Sequence, residues 1–363
     1  MNVLSLFDGI SCGMVALERA NIKVDNYYAS EIDKYAIQIS KKNYSNIIQL
    51  GDINNWESWD LPKIDLLIGG SPCQGFSNSG KGLNFNDPRS KLFFVFVDIL
   101  KDLKNKNSDL KFLLENVKMK KEWRDIISET VGVYPIQINS ALVSAQSRKR
   151  LYWTNISNIM QPEDRSILLK DIIESGDVDR EKSYCIDANY YKGGGLKNYL
   201  EKSRRQIVGL SSDNLHQSEK RLMVKTIPHG YMKENIVARY KYPSLAAQSP
   251  DTKYVVENVG KDCVQIGEAD IKGFDIIKRV YSPNGKSPSL TAMQGGNREP
   301  KITEDDMTWR KLTPIECERL QTLPDNYTEG VSNTQRYKSL GNGWTVDVIA
   351  HIFSFLPEEW KVT

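Results

Sequence analysis

The 363-residue chain is long enough for one large domain and a smaller one, and its 40% hydrophobic and 26% charged residues suit a water-soluble globular protein. No apolar run is long enough to span a bilayer and the first residues enter a strand pattern at once, which predicts a cytoplasmic protein with no membrane partner. A net charge of +3 is too small to argue for nucleic acid by itself, and five cysteines with no C-x-x-C pair speak against a disulfide framework or a structural zinc site.

In chain order, residues 3–7 read as a strand and the stretch through residues 15–20 as a helix. Residues 27–30 form a second strand, 34–43 a second helix, and Gly51-Asp52-Ile53 closes a third strand. Residues 64–68 are a buried strand ending in Gly69-Gly70, followed by an apolar helix over 92–103. A strand over 111–115, a helix over 123–130 and a strand over 151–154 complete the series. Strands alternating with helices predict an α/β fold, a doubly wound and mostly parallel sheet of Rossmann-like type. Ligands on such sheets bind beyond the carboxyl ends of the strands.

The alternation stops after Asn158. Residues 181–286 are rich in Gly, Ser, Asn, Tyr and Lys without helical period, and predict a separate small, irregular domain of short strands. Three distantly similar segments, 186–194, 243–248 and 288–296, are too short and uneven for a solenoid. Helical periodicity returns at 314–320 and 345–355. The expected division is therefore 1–180, 181–286 and a returning segment 287–363.

The loop Phe7-Asp8-Gly9-Ile10-Ser11-Cys12-Gly13 follows the first strand and opens a helix, where glycines and free N–H groups let a ligand approach the backbone. It is not the G-x-G-x-x-G fingerprint and is weak evidence alone. Glu31, after the second strand, is placed to take a ribose hydroxyl pair, and Asp52 to accept from an adenine amino group. Together the three loops favour a nucleoside ligand.

Gly69-Gly70-Ser71-Pro72-Cys73-Gln74-Gly75-Phe76-Ser77 follows a buried strand, so Cys73 falls at the functional edge of the sheet. A lone cysteine is more often a small buried hydrophobe. Here Pro72 fixes the backbone before the sulfur and a Gly/Ser/Asn-rich stretch follows, which suits a nucleophile on a closing loop. Glu115, in Leu114-Glu115-Asn116-Val117, ends the next strand, although an acid there also serves to cap a helix. Gln146-Ser147-Arg148-Lys149-Arg150 precedes a further strand. Basic clusters are usually solvated, but at this edge arginines are suited to phosphate or a base carbonyl.

These segments resemble the ordered motifs of the DNA cytosine-5 methyltransferase family, over residues 2–158 and 287–355. Pro72-Cys73-Gln74, Glu115-Asn116-Val117 and Gln146-x-Arg148-x-Arg150 are highly specific in combination. The run Arg310-Lys311-Leu312-Thr313-Pro314-x-Glu316-x-x-Arg319-Leu320-Gln321 resembles the family's ninth motif, and Gly341-Asn342 its tenth. Two segments depart from the usual pattern. Phe7-Asp8-Gly9-Ile10-Ser11-Cys12-Gly13 stands where most bacterial members carry Phe-x-Gly-x-Gly-Gly, closer to the vertebrate de novo enzymes, as is Ser140-Ala141-Leu142-Val143-Ser144-Ala145; Gly343-Trp344 replaces Ser-Val.

The resemblance implies S-adenosylmethionine as methyl donor, with S-adenosylhomocysteine as product and no metal. It implies Cys73 as covalent nucleophile at carbon 6 of a flipped cytosine, Glu115 binding N3 and N4, and Arg150 holding O2 with Arg148 and Gln146 in support. Phe7, Gly9, Glu31, Ile32, Asp52, Ile53, Asn342 and Trp344 form the implied cofactor set, and Pro72, Gln74, Ser77 and Asn116 lie on the substrate side. The loop 74–89 is the expected lid. Residues 181–286 become a target-recognition domain for duplex DNA, in which Lys192, Lys197, Arg204, Arg205, Lys225 and Arg239 are candidate contacts, Arg204-Arg205 foremost. A monomer in a bacterial or phage-infected cell is expected, any cognate restriction endonuclease being a partner by function and not by contact.

Three rivals are weaker. A tRNA cytosine-5 methyltransferase shares the core but has a shorter middle segment; a non-catalytic relative would not need Cys73, Glu115, Arg148 and Arg150; a nicotinamide oxidoreductase explains the first loop alone.

Overall fold

Continuous apolar runs in the first half of the chain build a sheet buried on both faces, as parallel strands between helices require. A computed structural model describes residues 1–71, 91–192, 199, 203–210, 224–226, 265–268, 279–281, 301–303 and 308–362. Its strands are β1 (Asn2–Leu6), β2 (Asn26–Ser30), β3 (Ile48–Gln49), β4 (Leu66–Gly70), β5 (Lys111–Val117), β6 (Ile136–Asn139) and β7 (Lys149–Thr154). Among the described residues they form one sheet in the order β3-β2-β1-β4-β5-β7-β6. The five strands from β3 to β5 are parallel, while β7 runs antiparallel to both β5 and β6. Leu66, Leu67 and Ile68 of β4 and Phe112, Leu113 and Leu114 of β5 are completely buried.

The helices α1 (Cys12–Arg19), α2 (Lys34–Asn43), α3 (Lys91–Lys106) and α4 (Lys121–Val131) lie between these strands in sequence. On α3, Phe93, Phe96, Val97, Leu100 and Leu103 face the core at helical spacing. Asp33 caps α2 by accepting from the Tyr35 N–H.

The chain then returns to the same unit through α5 (Pro314–Leu320), α6 (Asn333–Asn342) and α7 (Val346–Phe353). At the start of α5, Thr313 and Glu316 form a reciprocal capping box with Pro314 in the first turn, which explains the Thr-Pro-x-Glu spacing. On α7, Val346, Val348, Ile349, Ile352 and Phe353 are buried, and the helix packs along α1. Asp347 on that helix pairs with Arg19 of α1 at 2.5 Å.

Most predicted elements are present, with three differences. The third strand ends at Gln49, and Asp52 instead caps a 3-10 turn at Ile53–Ser58 through its side chain. The strand expected over 151–154 begins at Lys149, and β6 and α6 are additions to the sequence reading.

By its contacts the chain divides into one unit of Met1–Glu174, Arg180–Gln206 and Lys311–Thr363, and a second of Ser175–Asp179 and Ile207–Arg310. Strands β8 (Ile207–Leu210), β9 (Val224–Thr226), β10 (Gln265–Glu268), β11 (Arg279–Tyr281), β12 (Lys301–Thr303) and β13 (Thr308–Lys311) are all three or four residues long. They form a sheet β10-β11-β12-β9 and a pair β13-β8. Of these, β8 to β11 fall within the stretch 181–286 for which short strands are expected. The similar segments 243–248 and 288–296 lie outside the described residues. No described helix is long and apolar enough to cross a membrane.

Candidate active site

At the carboxyl end of β1 the backbone turns sharply, with Phe7, Gly9 and Ser11 at φ of 57°, 62° and 60°. Two hydroxyls hold this turn by donating to Asp8, Ser11 Oγ at 2.6 Å and Tyr27 Oη at 2.7 Å. Burial raises the Asp8 pKa, and the hydrogen bonds from Ser11, Ser5 and Tyr27 only partly oppose it. The Gly9 N–H donates to Glu31 Oε2 at 2.8 Å, while Glu31 Oε1 accepts the N–H groups of Ile32 and Asp33, each at 2.8 Å. Three backbone donors thus fix one carboxylate beside the turn. Ser30 Oγ donates to the Gly51 carbonyl at 2.7 Å, which draws the Asp52 loop to the same edge. Ile53 is buried beneath it.

This edge carries an apolar side chain out of place. Ile32 is 73% exposed, next to Glu31 and beyond the ends of β1 and β2, where Phe7 is itself only half-buried. Two apolar groups and two acceptor carboxylates, Glu31 and Asp52, suit a nucleoside, with a base to stack and hydroxyls to hold.

One strand over, the sheet register sets Gly70 of β4 beside Glu115 of β5, and Arg150 of β7 beside Val117. Glu115 Oε1 pairs with Arg150 Nε at 2.9 Å, and its Oε2 accepts the Trp344 indole N–H at 3.2 Å. Burial opposes the charge on Arg150, but the adjacent Glu115, helped by Cys185 and Tyr152, more than offsets it and raises the guanidinium pKa. The chain of β4 continues through Ser71 towards Pro72, Cys73, Gln74 and Ser77, which lie outside the described residues together with the expected lid over 74–89. Asn116 is buried, and its amide donates to the Ser71 carbonyl at 3.3 Å and hydroxyl at 3.2 Å. Ser71 stands two positions before Cys73 in the sequence.

Arg148 and Gln146 are buried and work inward. Arg148 donates to the carbonyls of Ile186 (3.0 Å), Gly341 (3.3 Å) and Gly343 (3.1 Å) and to Cys185 Sγ (3.3 Å). Gln146 accepts the Ile186 N–H at 2.9 Å and donates to Leu320 O at 3.3 Å. Both belong to the supports of the pocket wall. Gln321, a residue of the ninth-motif segment to which the sequence reading gave no role, donates to the Leu340 and Gly343 carbonyls at 2.6 and 3.2 Å. Arg148 and Gln321 therefore grip the same turn from two sides, and that turn carries Asn342 and Trp344. A Cβ on Gly341 would strike the backbone of Asp187 and Ala188, so only glycine fits there. Asn342 is exposed and Trp344 half-buried.

Burial pushes the Cys12 thiol up to about 12 and the Cys317 thiol also well above its ordinary value, so neither is a source of thiolate. Cys185 is half-buried, with Arg148 on one side and Arg150 Nη2 at 3.9 Å. Cys73 and Cys263 lie outside the described residues. Arg204 is exposed and Arg205 half-buried at φ 60°, in a stretch whose contacts fall within the first unit.

Asp8, Ser71, Cys185 and Gln321 are site residues that sequence reasoning passed over. Gln321 had a signal, its place at the end of a recognisable motif; Cys185 had none beyond its residue type.

The fold is of the α/β class, a seven-stranded and mostly parallel sheet. Solved structures similar to it include the methyltransferase EhMeth of Entamoeba histolytica, at a TM-score of 0.57 and 17% identity with 100% of this chain and 99% of that one covered. The Dnmt2 methyltransferase of S. pombe is similar at 0.55 and 16%, with both chains covered completely. The particular family follows from the sequence: the chain belongs to the C-5 cytosine-specific DNA methylases, whose family model matches residues 1–357, and is thus a DNA cytosine-5 methyltransferase. Among curated relatives, the orphan methyltransferase M.Rho11sI of Bacillus phage rho11s is 27% identical over 98% of this chain and 97% of its own. The type II methyltransferase M.NlaIV of Neisseria lactamica is 28% identical over 95% and 96%.

Proposed function

We propose that the protein transfers a methyl group from S-adenosylmethionine to carbon 5 of a flipped-out cytosine in a specific duplex DNA sequence, through a covalent bond from Cys73 to carbon 6. The observation that carries this reading is Glu115, held between Arg150 and Trp344 at the strand end beside Gly70, three residues before Cys73. A carboxylate so oriented is suited to the N3–N4 edge of one base. Burying that base in the pocket requires unstacking it, at about a few kcal/mol.

Carbon 5 of cytosine is too poor a nucleophile to be methylated directly. The Cys73 thiolate adds its electron pair to carbon 6, and the ring electrons move to make carbon 5 an enamine carbon. Glu115 promotes this by favouring a proton at N3, and Arg150 holds the O2 carbonyl. The cofactor, when bound, would supply its electrophilic methyl to carbon 5 and leave as the thioether S-adenosylhomocysteine. Water then removes the carbon 5 proton, the electron pair returns to the ring, and the Cys73–carbon 6 bond breaks to restore thiolate and aromatic base. The scheme calls for no metal.

The supporting assignments follow from chemistry at each position. Phe7, Ile32 and Ile53 offer apolar surface to an adenine, Gly9 its close backbone, Glu31 its carboxylate to the ribose and Asp52 an acceptor to the amine, with Asn342 and Trp344 closing the far wall. Pro72, Gln74, Ser77, Asn116 and Gln146 shape the loop and base pocket. Arg204 and Arg205 contact DNA, and residues 181–286 read the target as a recognition domain of a monomeric enzyme.

The test incubates the protein with labelled S-adenosylmethionine and mixed-sequence duplex DNA and maps methylated cytosines by bisulfite sequencing, with Cys73→Ser in parallel. Methylation confined to one short motif and lost in the variant supports the proposal. Label on tRNA but not DNA, or on neither, contradicts it.

A further inference from the structure

Trp344 occupies a position with contacts on three sides. Its indole nitrogen donates to Glu115 Oε2 at 3.2 Å. A Cβ placed on Gly70 would lie 3.0 Å from that nitrogen and 3.1 Å from the same carboxylate oxygen, so the end of β4 is bare where the two meet. On the opposite side the six-membered ring faces Gly13, whose Cβ would be 3.6 Å away, at the start of α1. The preceding Gly343 lies against Cys12, a Cβ there being 3.4 Å from the sulfur. The two departures from the family pattern, Ser11-Cys12 and Gly343-Trp344, therefore face each other across this contact.

The other oxygen of Glu115 is taken by Arg150 at 2.9 Å. With both oxygens held by donors on different elements, the carboxylate plane is fixed instead of turning about its last bond. A carboxylate that must meet two adjacent base atoms gains from being held in this way, because reorientation at the moment of reaction adds to the barrier.

We infer that Trp344 is a positioning residue for methyl transfer, its indole N–H setting the orientation of Glu115 while its ring spans to the turn that opens α1. The inference rests on the reading of Glu115 as the base-binding carboxylate. It places one contact between the two halves of the reaction: a side chain that lines the α1 turn is also the one that orients the acid. Trp344 is not a catalytic residue; it acts through Glu115.

Trp344→Phe keeps an aromatic ring and removes the donor. A hydrogen bond to a charged group corresponds to roughly a ten-fold change or more, so kcat is expected to fall by about ten-fold with KM for S-adenosylmethionine changed less than about three-fold. A rise in cofactor KM with unchanged kcat would make Trp344 a wall of the cofactor pocket alone and overturn the inference. A second measurement leaves Trp344 in place: the indole N–H resonance of the full-length 15N-tryptophan-labelled protein, assigned through its own backbone amide, in wild type and Glu115→Gln. The Trp344 signal is expected to move upfield when the charged acceptor is removed, and an unmoved signal overturns the inference whatever Trp344→Phe does. The same Glu115→Gln protein separates the two readings. If it retains full turnover, the role assigned to Glu115 fails; if it loses turnover while Trp344→Phe matches wild type, only the role of Trp344 fails.

Discussion

The two ends of the functional edge are built in different ways. At β1–β3 the parts are local: the Gly9 N–H reaches Glu31 across 22 residues, and the remaining donors to that carboxylate are its own next neighbours. At β4, β5 and β7 the parts are distant. Glu115 meets Trp344 across 229 residues and Arg148 meets Gly343 across 195. The first end presents backbone groups and exposed apolar surface for a ligand to cover; the second presents charged side chains already neutralised by one another. One end is assembled by a turn, and the other by packing of the chain's far end onto its middle.

The contrast is broken first at Glu115. Glu115→Gln keeps the shape and removes the charge, and the loss of turnover should be on the order of a hundred-fold to ten-thousand-fold, the range for a general acid–base group. Initial rates at saturating cofactor read it, and the melting temperature should also fall, because Arg150 loses the charge that offsets its burial.

Arg148 tests the structural half of the same end. Arg148→Met leaves the Gly341, Gly343 and Ile186 carbonyls without their buried donor, at a cost of about 3 kcal/mol in stability. Urea unfolding should show the lowered midpoint. A stable Arg148→Met protein that had lost only turnover would move Arg148 from support to direct contact with substrate.

How much of this was legible in the sequence follows the same division. The parallel strands were readable because both faces are buried, and the runs in β4 and β5 are continuously apolar. The strand β6 is four residues with Gln137 exposed, and α6 buries only Tyr337, Leu340 and Gly341 of ten, so neither offers a period. The Asp52 loop was placed at the correct edge but in the wrong element, because two residues of β3 are too few to mark a strand's end. At the local end Gly9 and Glu31 are joined by a hydrogen bond that their separation in sequence does not reveal. That Gln146 and Arg148 face inward was invisible, since their partners lie on α5, on the turn after α6 and near Ile186, and periodicity carries no information about such contacts.

At the local end, Glu31→Ala should raise KM for S-adenosylmethionine by about ten- to a hundred-fold, the equivalent of hydrogen bonds to a charged group, and leave kcat near wild type. A fall in kcat with unchanged KM would erase the distinction between the two ends.

The smallest effect is expected at Asp33. Burial raises its pKa, but the hydrogen bond from Lys338 at 2.7 Å and the N–H groups of Tyr35 and Ala36 outweigh this and hold the carboxyl below its ordinary value. A depressed folded-state value means that the stabilisation is present above the unfolded value near 3.8 and is lost as pH falls through the folded one. Asp33→Asn retains a good helix cap while losing the charge, and both partners are partly exposed, so the cost at neutral pH should be under about 1 kcal/mol. Denaturant midpoints at neutral and acid pH should converge for variant and wild type on the acid side.

The central claim is the covalent role of Cys73, and trapping tests it most directly. Mixed-sequence duplex DNA with 5-fluorocytosine in place of cytosine, given with S-adenosylmethionine, has no carbon 5 proton to release, so the adduct should persist through a denaturing gel. The account predicts a shifted band whose peptide map carries the nucleotide on Cys73, absent in Cys73→Ser and unchanged in Cys185→Ser. An adduct on Cys185, or turnover of ordinary DNA without any trapped adduct, would contradict it.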